Sequence, residues 1–138
     1  MKQEDKELLF KDLCSRLPYG VVVELDEKFE FNKGTHTLVK ELLDLYCVEG
    51  IKPYLRPMSS MTEEEIVEIN SMGFAYWTTM INNDLRTRGP MSLLDAIITH
   101  HKMVKLTDWL NAHHFDYRNL IGKGLAIEAP EGMYNLTK

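Results

Sequence analysis

Two prolines four residues apart, in Ile51-Lys52-Pro53-Tyr54-Leu55-Arg56-Pro57, forbid a helix interior at this point of the chain. Each proline removes a backbone donor, fixes its own φ and pushes the residue before it toward extended geometry. The segment must run as an extended strap, so the chain mixes helices with extended pieces and cannot be read as a continuous bundle.

Helical periodicity surrounds the strap. Leu8, Leu9, Leu13 and Leu17, with Phe10 to one side, fit an amphipathic helix over Glu4 to Leu17 that Pro18 ends. After the Pro18-Tyr19-Gly20 turn, the run Val21-Val22-Val23 and Leu25, followed by Phe29 and Phe31 alternating with Glu30, predicts a β-hairpin for the first helix to cover. Val39, Leu42, Leu43 and Tyr46 predict a helix over Thr35 to Val48, although its limits also suit a strand. Ser59-Ser60-Met61-Thr62-Glu63-Glu64-Glu65 holds overlapping S/T-x-x-E boxes with acids at the positive end of the dipole, and predicts a helix from Thr62 to about Met72.

The segment from Gly73 to Arg88 fits no regular element. Pro90 and Ser92 open a further helix whose stripe of Leu93, Ala96, Ile97, Met103, Val104 and Leu110 carries it to His113 or His114, with a joint conceivable near Lys102. From Asp116 the chain reads as a turn or short helix, a brief strand at Leu125-Ala126-Ile127 and a turn at Ala129-Pro130-Glu131-Gly132. The expected architecture is a single α+β domain over residues 1–138, with a small antiparallel sheet of two to four strands covered by three or four helices. A chain of 138 residues is long enough for one ordinary core.

Composition removes several function classes. Sixteen basic residues against 21 acidic ones leave a net charge of −5, which argues against affinity drawn from phosphate neutralisation. Cys14 and Cys47 have no CxxC spacing, so neither a disulfide framework nor a thiolate zinc site is indicated, and reduced thiols in a cytoplasm fit best. The start, MKQEDKELLFKDL, lacks the apolar core of a secretory signal, and no run reaches the roughly 18 apolar residues of a membrane span. No cofactor motif is present, so none is expected.

Asp108 to Tyr134 is the densest stretch of chemistry. His100, His101, His113 and His114 suggest an imidazole zinc site. On one continuous helix, however, His100 and His113 stand about 20 Å apart, and adjacent helical residues point about 100° apart. The bland reading makes His100 a core residue and lets His113 or His114 finish the helix, where an imidazolium suits the dipole. A break near Lys102 would reopen the metal reading. His113, His114, Asp116, Tyr117 and Arg118 could instead form an acid–base site, with Asp116 orienting an imidazole and Arg118 holding an anion. The alternative is a capping Asp116 and a structural ion pair at Arg118. No GxSxG or SxxK spacing supports acyl transfer, and Gly122-Lys123-Gly124 lacks the strand and GK[ST] pattern of a phosphate loop.

Other clusters point to surfaces. Glu63, Glu64, Glu65 and Glu68 form a well-capped acidic turn, not a metal cage. Phe74, Tyr76 and Trp77 lie in the unassigned segment, and if exposed would mark an interface together with Arg86 and Arg88. Arg86, Arg88, Lys102 and Lys105 are the residues a nucleic-acid reading would use, against the acidic balance of the whole chain.

Tyr54-Leu-Arg-Pro-Met-Ser-Ser-Met-Thr-Glu-Glu-Glu65, and DWLNAHHFDYRNLIGKGLAIEAPEGMY from Asp108 to Tyr134, resemble an uncharacterised family of small proteins encoded by phages, prophages and mobile elements of Bacteroidetes gut bacteria. The resemblance implies a setting, a phage-encoded protein at work in the cytoplasm of a bacterial cell, and carries no activity, cofactor or catalytic residue with it. With the small size, the acidic charge and the incomplete catalytic set, it leads to the expectation of a non-enzymatic accessory protein that binds and modulates a host or phage protein, a second copy of the chain being compatible with the same surfaces. The alternatives are a small His/Asp-dependent or metal-dependent hydrolase and a weak nucleic-acid binder.

Overall fold

The structure, a computed structural model, describes residues 1–27, 29, 33–43, 48–71 and 93–134, with the backbone alone at 93–100. It is α+β: among the described residues, three α-helices accompany a four-stranded mixed sheet. The helices are α1 (Gln3–Arg16), α2 (Glu63–Ser71) and α3 (Leu93–Ala112); the strands are β1 (Val22–Leu25), β2 (Gly34–Thr37), β3 (Ile51–Leu55) and β4 (Ile127–Glu128). The chain divides into two compact units, residues 1–58 with 110–138 and residues 59–109.

In the first unit α1 starts at Gln3 and gives way at Pro18 to a 3-10 turn, Leu17–Tyr19, closed by Gly20 at φ 68°. Its inward face is Leu9, Asp12, Leu13 and Arg16, the i, i+3, i+4, i+7 set of one helical stripe. Leu9 and Leu13 share a core with Val21, Val23, Leu25, Leu38, Val48, Ile51, Leu55, Leu120 and Leu125.

The sheet runs in the order β2-β1-β3-β4. β1 pairs antiparallel with both β2 and β3, whereas β3 and β4 run parallel, so the expected purely antiparallel sheet is corrected to a mixed one. The expected strap is β3, an inner strand. Its Pro53 stands opposite Val23. Because the Asp26 N–H donates to the Gly50 carbonyl at 2.9 Å, the alternating ladder makes 23/53 a non-hydrogen-bonded pair, and β1 asks no donor of Pro53.

The hairpin exists with a different second strand. β1 returns as Gly34–Thr37, while Phe29 lies in a turn and Phe31 lies outside the described residues. The helix expected over Thr35 to Val48 is likewise overturned: its start is β2, followed by 3-10 turns at Lys40–Leu42 and Val48–Gly50. Leu38 is buried and Val39 is 46 % exposed, so the apolar residues of this stretch do not form one helical stripe.

In the second unit, α2 begins with the expected capping box. The Thr62 hydroxyl accepts from the Glu65 N–H at 3.2 Å, and the Glu65 carboxylate accepts from the Thr62 N–H at 2.9 Å. α3 is continuous through Lys102, without the joint. Gly73 to Arg88 and Cys47 lie outside the described residues, and Cys14 is exposed.

Candidate functional site

The segment that follows α3 is built by two successive backbone stops. The Phe115 N–H donates to the Leu110 carbonyl at 2.9 Å and the His114 N–H to Asn111 at 3.1 Å, the paired bonds of a Schellman motif. His114 holds the left-handed position at φ 64°, where glycine is usual. Ten residues on, the motif recurs: Leu125 N–H to Leu120 and Gly124 N–H to Ile121, with Gly124 at φ 75°. Each stop buries its flanking pair, Leu110 with Phe115 and Leu120 with Leu125. Between them the chain runs parallel to the end of β3, since the Arg56 N–H donates to His114 and the Asp116 N–H to Arg56, both at 2.8 Å.

Asp116 is spent on the backbone. Its Oδ1 accepts from the Leu120 N–H at 2.8 Å and its Oδ2 from the Ile121 N–H at 3.0 Å. The carboxylate caps the second turn and does not hold the His114 imidazole, whose Nδ1 is buried with no hydrogen-bond partner among the described residues. The acid–base pairing of Asp116 with this histidine is therefore not formed. Asp116→Ala strands two largely buried N–H groups and is expected to lower stability by about 1–3 kcal/mol, read by chemical denaturation.

Arg118 belongs to a buried network centred on Asp12. Arg16 Nε donates to Asp12 Oδ2 at 2.7 Å and Arg16 Nη2 to Asp12 Oδ1 at 3.2 Å, with both side chains fully buried. Arg118 Nε reaches the same Oδ1 at 3.0 Å from a side chain 19 % exposed. Arg16 Nη2 also donates to the Phe115 carbonyl at 2.7 Å, tying α1 to the segment after α3. The two guanidinium carbons lie 5.1 and 4.9 Å from the Tyr117 ring centroid, and the Tyr117 hydroxyl donates to Asn111 Oδ1 at 2.9 Å.

His114 is 5 % exposed and stacks on Tyr134, with ring centroids 3.7 Å apart and planes 15° from parallel. Burial, with the Arg16 cation behind it, pushes the imidazole down to about 4. It finishes the helix as a neutral ring through its backbone, so the imidazolium expected at the helix end is corrected for this residue. The Tyr134 hydroxyl accepts from the Val22 N–H at 2.9 Å and donates to the Tyr54 carbonyl at 2.6 Å, and burial pushes it up to about 12.

An open depression of about 500 Å³ lies beside the network, lined by Pro57, Met58, Asp116, Tyr117, Asn119, Ile121 and Gly122. Its carboxylate and phenol are the ones already engaged above. Of the five residues proposed for catalysis, Tyr117 and Arg118 touch, at 3.2 Å, while Asp116 faces its own turn and His114 faces Tyr134. The half-buried His113 offers its carbonyl to Arg56 Nη1 at 3.3 Å. Among the described residues no three His, Cys, Asp or Glu side chains gather as a metal site would need. His101 is exposed, Lys102 is half-buried and Lys105 is exposed on α3; the His100 side chain, and Phe74, Tyr76, Trp77, Arg86 and Arg88, lie outside what is described.

Asp12 and Arg16 share the buried face of α1 with Leu9 and Leu13, and the apolar periodicity of the helix does not reveal them. The available signal was their spacing, since residues 12 and 16 fall on the stripe of Leu9 and Leu13 and place an i, i+4 ion pair on the inward face. Compared with protein-family models, with curated proteins and with solved structures, the chain matches none.

Proposed function

We propose that the chain is a non-enzymatic binding protein, a phage or prophage accessory factor that engages and modulates a host or phage protein in the bacterial cytoplasm. The observation that carries this reading is the pairing of exposed apolar residues in the unit spanning 59–109. Ile66 and Val67 are adjacent on α2 and Met103 and Val104 are adjacent on α3, with Val67 66 % exposed. Singly scattered exposed apolar residues need no explanation, but four of them on the two helices of one unit offer the kind of apolar surface an interface uses. Phe74, Tyr76 and Trp77, which the sequence offers for the same role, fall between these helices in sequence and lie outside the described residues. The spending of Asp116, Tyr117 and Arg118 on internal hydrogen bonds supports binding over hydrolysis. The acidic charge supports a protein partner over nucleic acid. No helix among the described residues is long and apolar enough to cross a membrane.

The test is affinity capture from a Bacteroidetes lysate with the full chain and with a Val67→Glu/Met103→Glu variant, both placed on exposed positions. A partner retained by the wild type and lost by the variant, at unchanged melting temperature, is the expected result. Equal retention by both, or turnover on a hydrolase panel that His114→Ala abolishes, would overturn the reading.

A further inference from the structure

Continuing the β1/β3 register one step past Val23 and Pro53 places Val22 opposite Tyr54. The alternation that bonds Asp26 with Gly50 makes this pair a hydrogen-bonding one, where a direct N–H to carbonyl bond belongs. The Tyr134 hydroxyl stands there instead, taking the Val22 N–H and giving its proton to the Tyr54 carbonyl. The ladder is therefore opened by one hydroxyl, and the opening has a donor on one wall, an acceptor on the other and an imidazole face against the ring. These are the recognition elements of a neutral phenol. A bare apolar ring would leave both backbone groups unsatisfied.

The chain that delivers Tyr134 is lightly held. The Ala129 N–H donates to Leu55 at 2.8 Å; from there to Tyr134, the one backbone hydrogen bond among the described residues is the turn from the Met133 N–H to Pro130. Pro130, Glu131 and Gly132 are exposed, and Gly132 sits at φ 83°, a backbone state that lets this segment fold back. We propose that the slot bounded by Val22, Tyr54 and His114 is a phenol-binding site that the chain fills with its own Tyr134, and that an external phenolic ring takes the slot when residues 130–134 lift. This goes beyond the partner reading above and does not depend on it.

The test uses the full chain carrying Tyr134→Ala, with p-cresol, toluene and N-acetyl-tyrosinamide as probes. Saturating p-cresol is expected to raise the melting temperature of the variant by about 3 °C or more, as a ligand bound only to the folded state does, and to shift the wild type less, because Tyr134 competes for the slot. Toluene should shift the variant clearly less. N-acetyl-tyrosinamide matching p-cresol would point to a tyrosyl side chain as the ligand, and p-cresol acting alone to a small phenol. No shift with either phenol, or equal shifts with p-cresol and toluene, would overturn the proposal. Should the variant be unfolded, recovery of its far-ultraviolet dichroism by p-cresol supports the slot and failure to recover it counts against it. Tyr134→Phe supplies an independent reading: the Val22 amide should lose about tenfold or more of its exchange protection, and unchanged protection would contradict a hydroxyl in the ladder.

Discussion

Asp12→Ala is expected to destabilise the first unit by about 3–5 kcal/mol, the largest effect of any single substitution proposed for this chain, because it leaves a fully buried guanidinium without its counter-charge. Three of the hydrogen bonds that fix Arg16 and Arg118 end on this one carboxylate. Arg118→Met should cost far less, since Arg118 reaches solvent and Asp12 keeps Arg16. Asp12→Leu combined with Arg16→Met, which removes both buried charges together, should recover much of the loss. Urea denaturation of the three variants separates these outcomes. A mild Asp12→Ala with an intact m-value would mean that Arg16 is not held as described.

Acidification carries the second large effect. The His114 imidazole is pushed down to about 4 in the folded chain, against an ordinary histidine value near 6.5 once unfolded. Between those values the unfolded chain binds a proton that the folded chain refuses. Stability is therefore full above about pH 6.5, falls as the pH drops toward about 4, and levels off for this group below that. A displacement of this size amounts to a loss on the order of 3 kcal/mol across the window. His114→Phe should abolish this part of the pH dependence, because a group that does not titrate contributes none. If the variant and the wild type lose stability in parallel from pH 6.5 to 4, the buried imidazole is not the cause.

What was legible in the sequence was whatever local chemistry decides. The Thr62/Glu65 box fixes the start of α2, the two prolines force β3 to be extended, and Pro18 closes α1. The second strand was not legible because β2 is an edge strand whose Thr35, His36 and Thr37 are all exposed, leaving no apolar alternation to read. The helical look of Val39, Leu42 and Leu43 then filled the gap. The end of α3 near His113 and His114 is legible, but its form is not, because a Schellman motif is sought at glycine and here the left-handed residue is a histidine whose ring is stacked on Tyr134. The brief strand expected at Leu125-Ala126-Ile127 forms two residues later, as β4 at Ile127–Glu128, and its parallel pairing with the backbone of Tyr54 and Leu55 is what no side-chain pattern announces. At the candidate site, the reading of Asp116 as a cap and of Arg118 as an ion-pair member agrees with the hydrogen bonds found. The partner of that ion pair lies 106 residues away, on α1, and only the fold brings it there.

The segment after α3 is an internal clasp in which the His114 imidazole is buried against Tyr134 and its pKa is pushed down. Titrating the histidine ring resonances by NMR, with His114 assigned through its loss in His114→Phe, tests this most directly. The His114 ring is expected to stay neutral through pH 5 and to take its proton near pH 4; a midpoint near 6.5, with free exchange to solvent, would contradict the account and return this residue to the list of reactive groups.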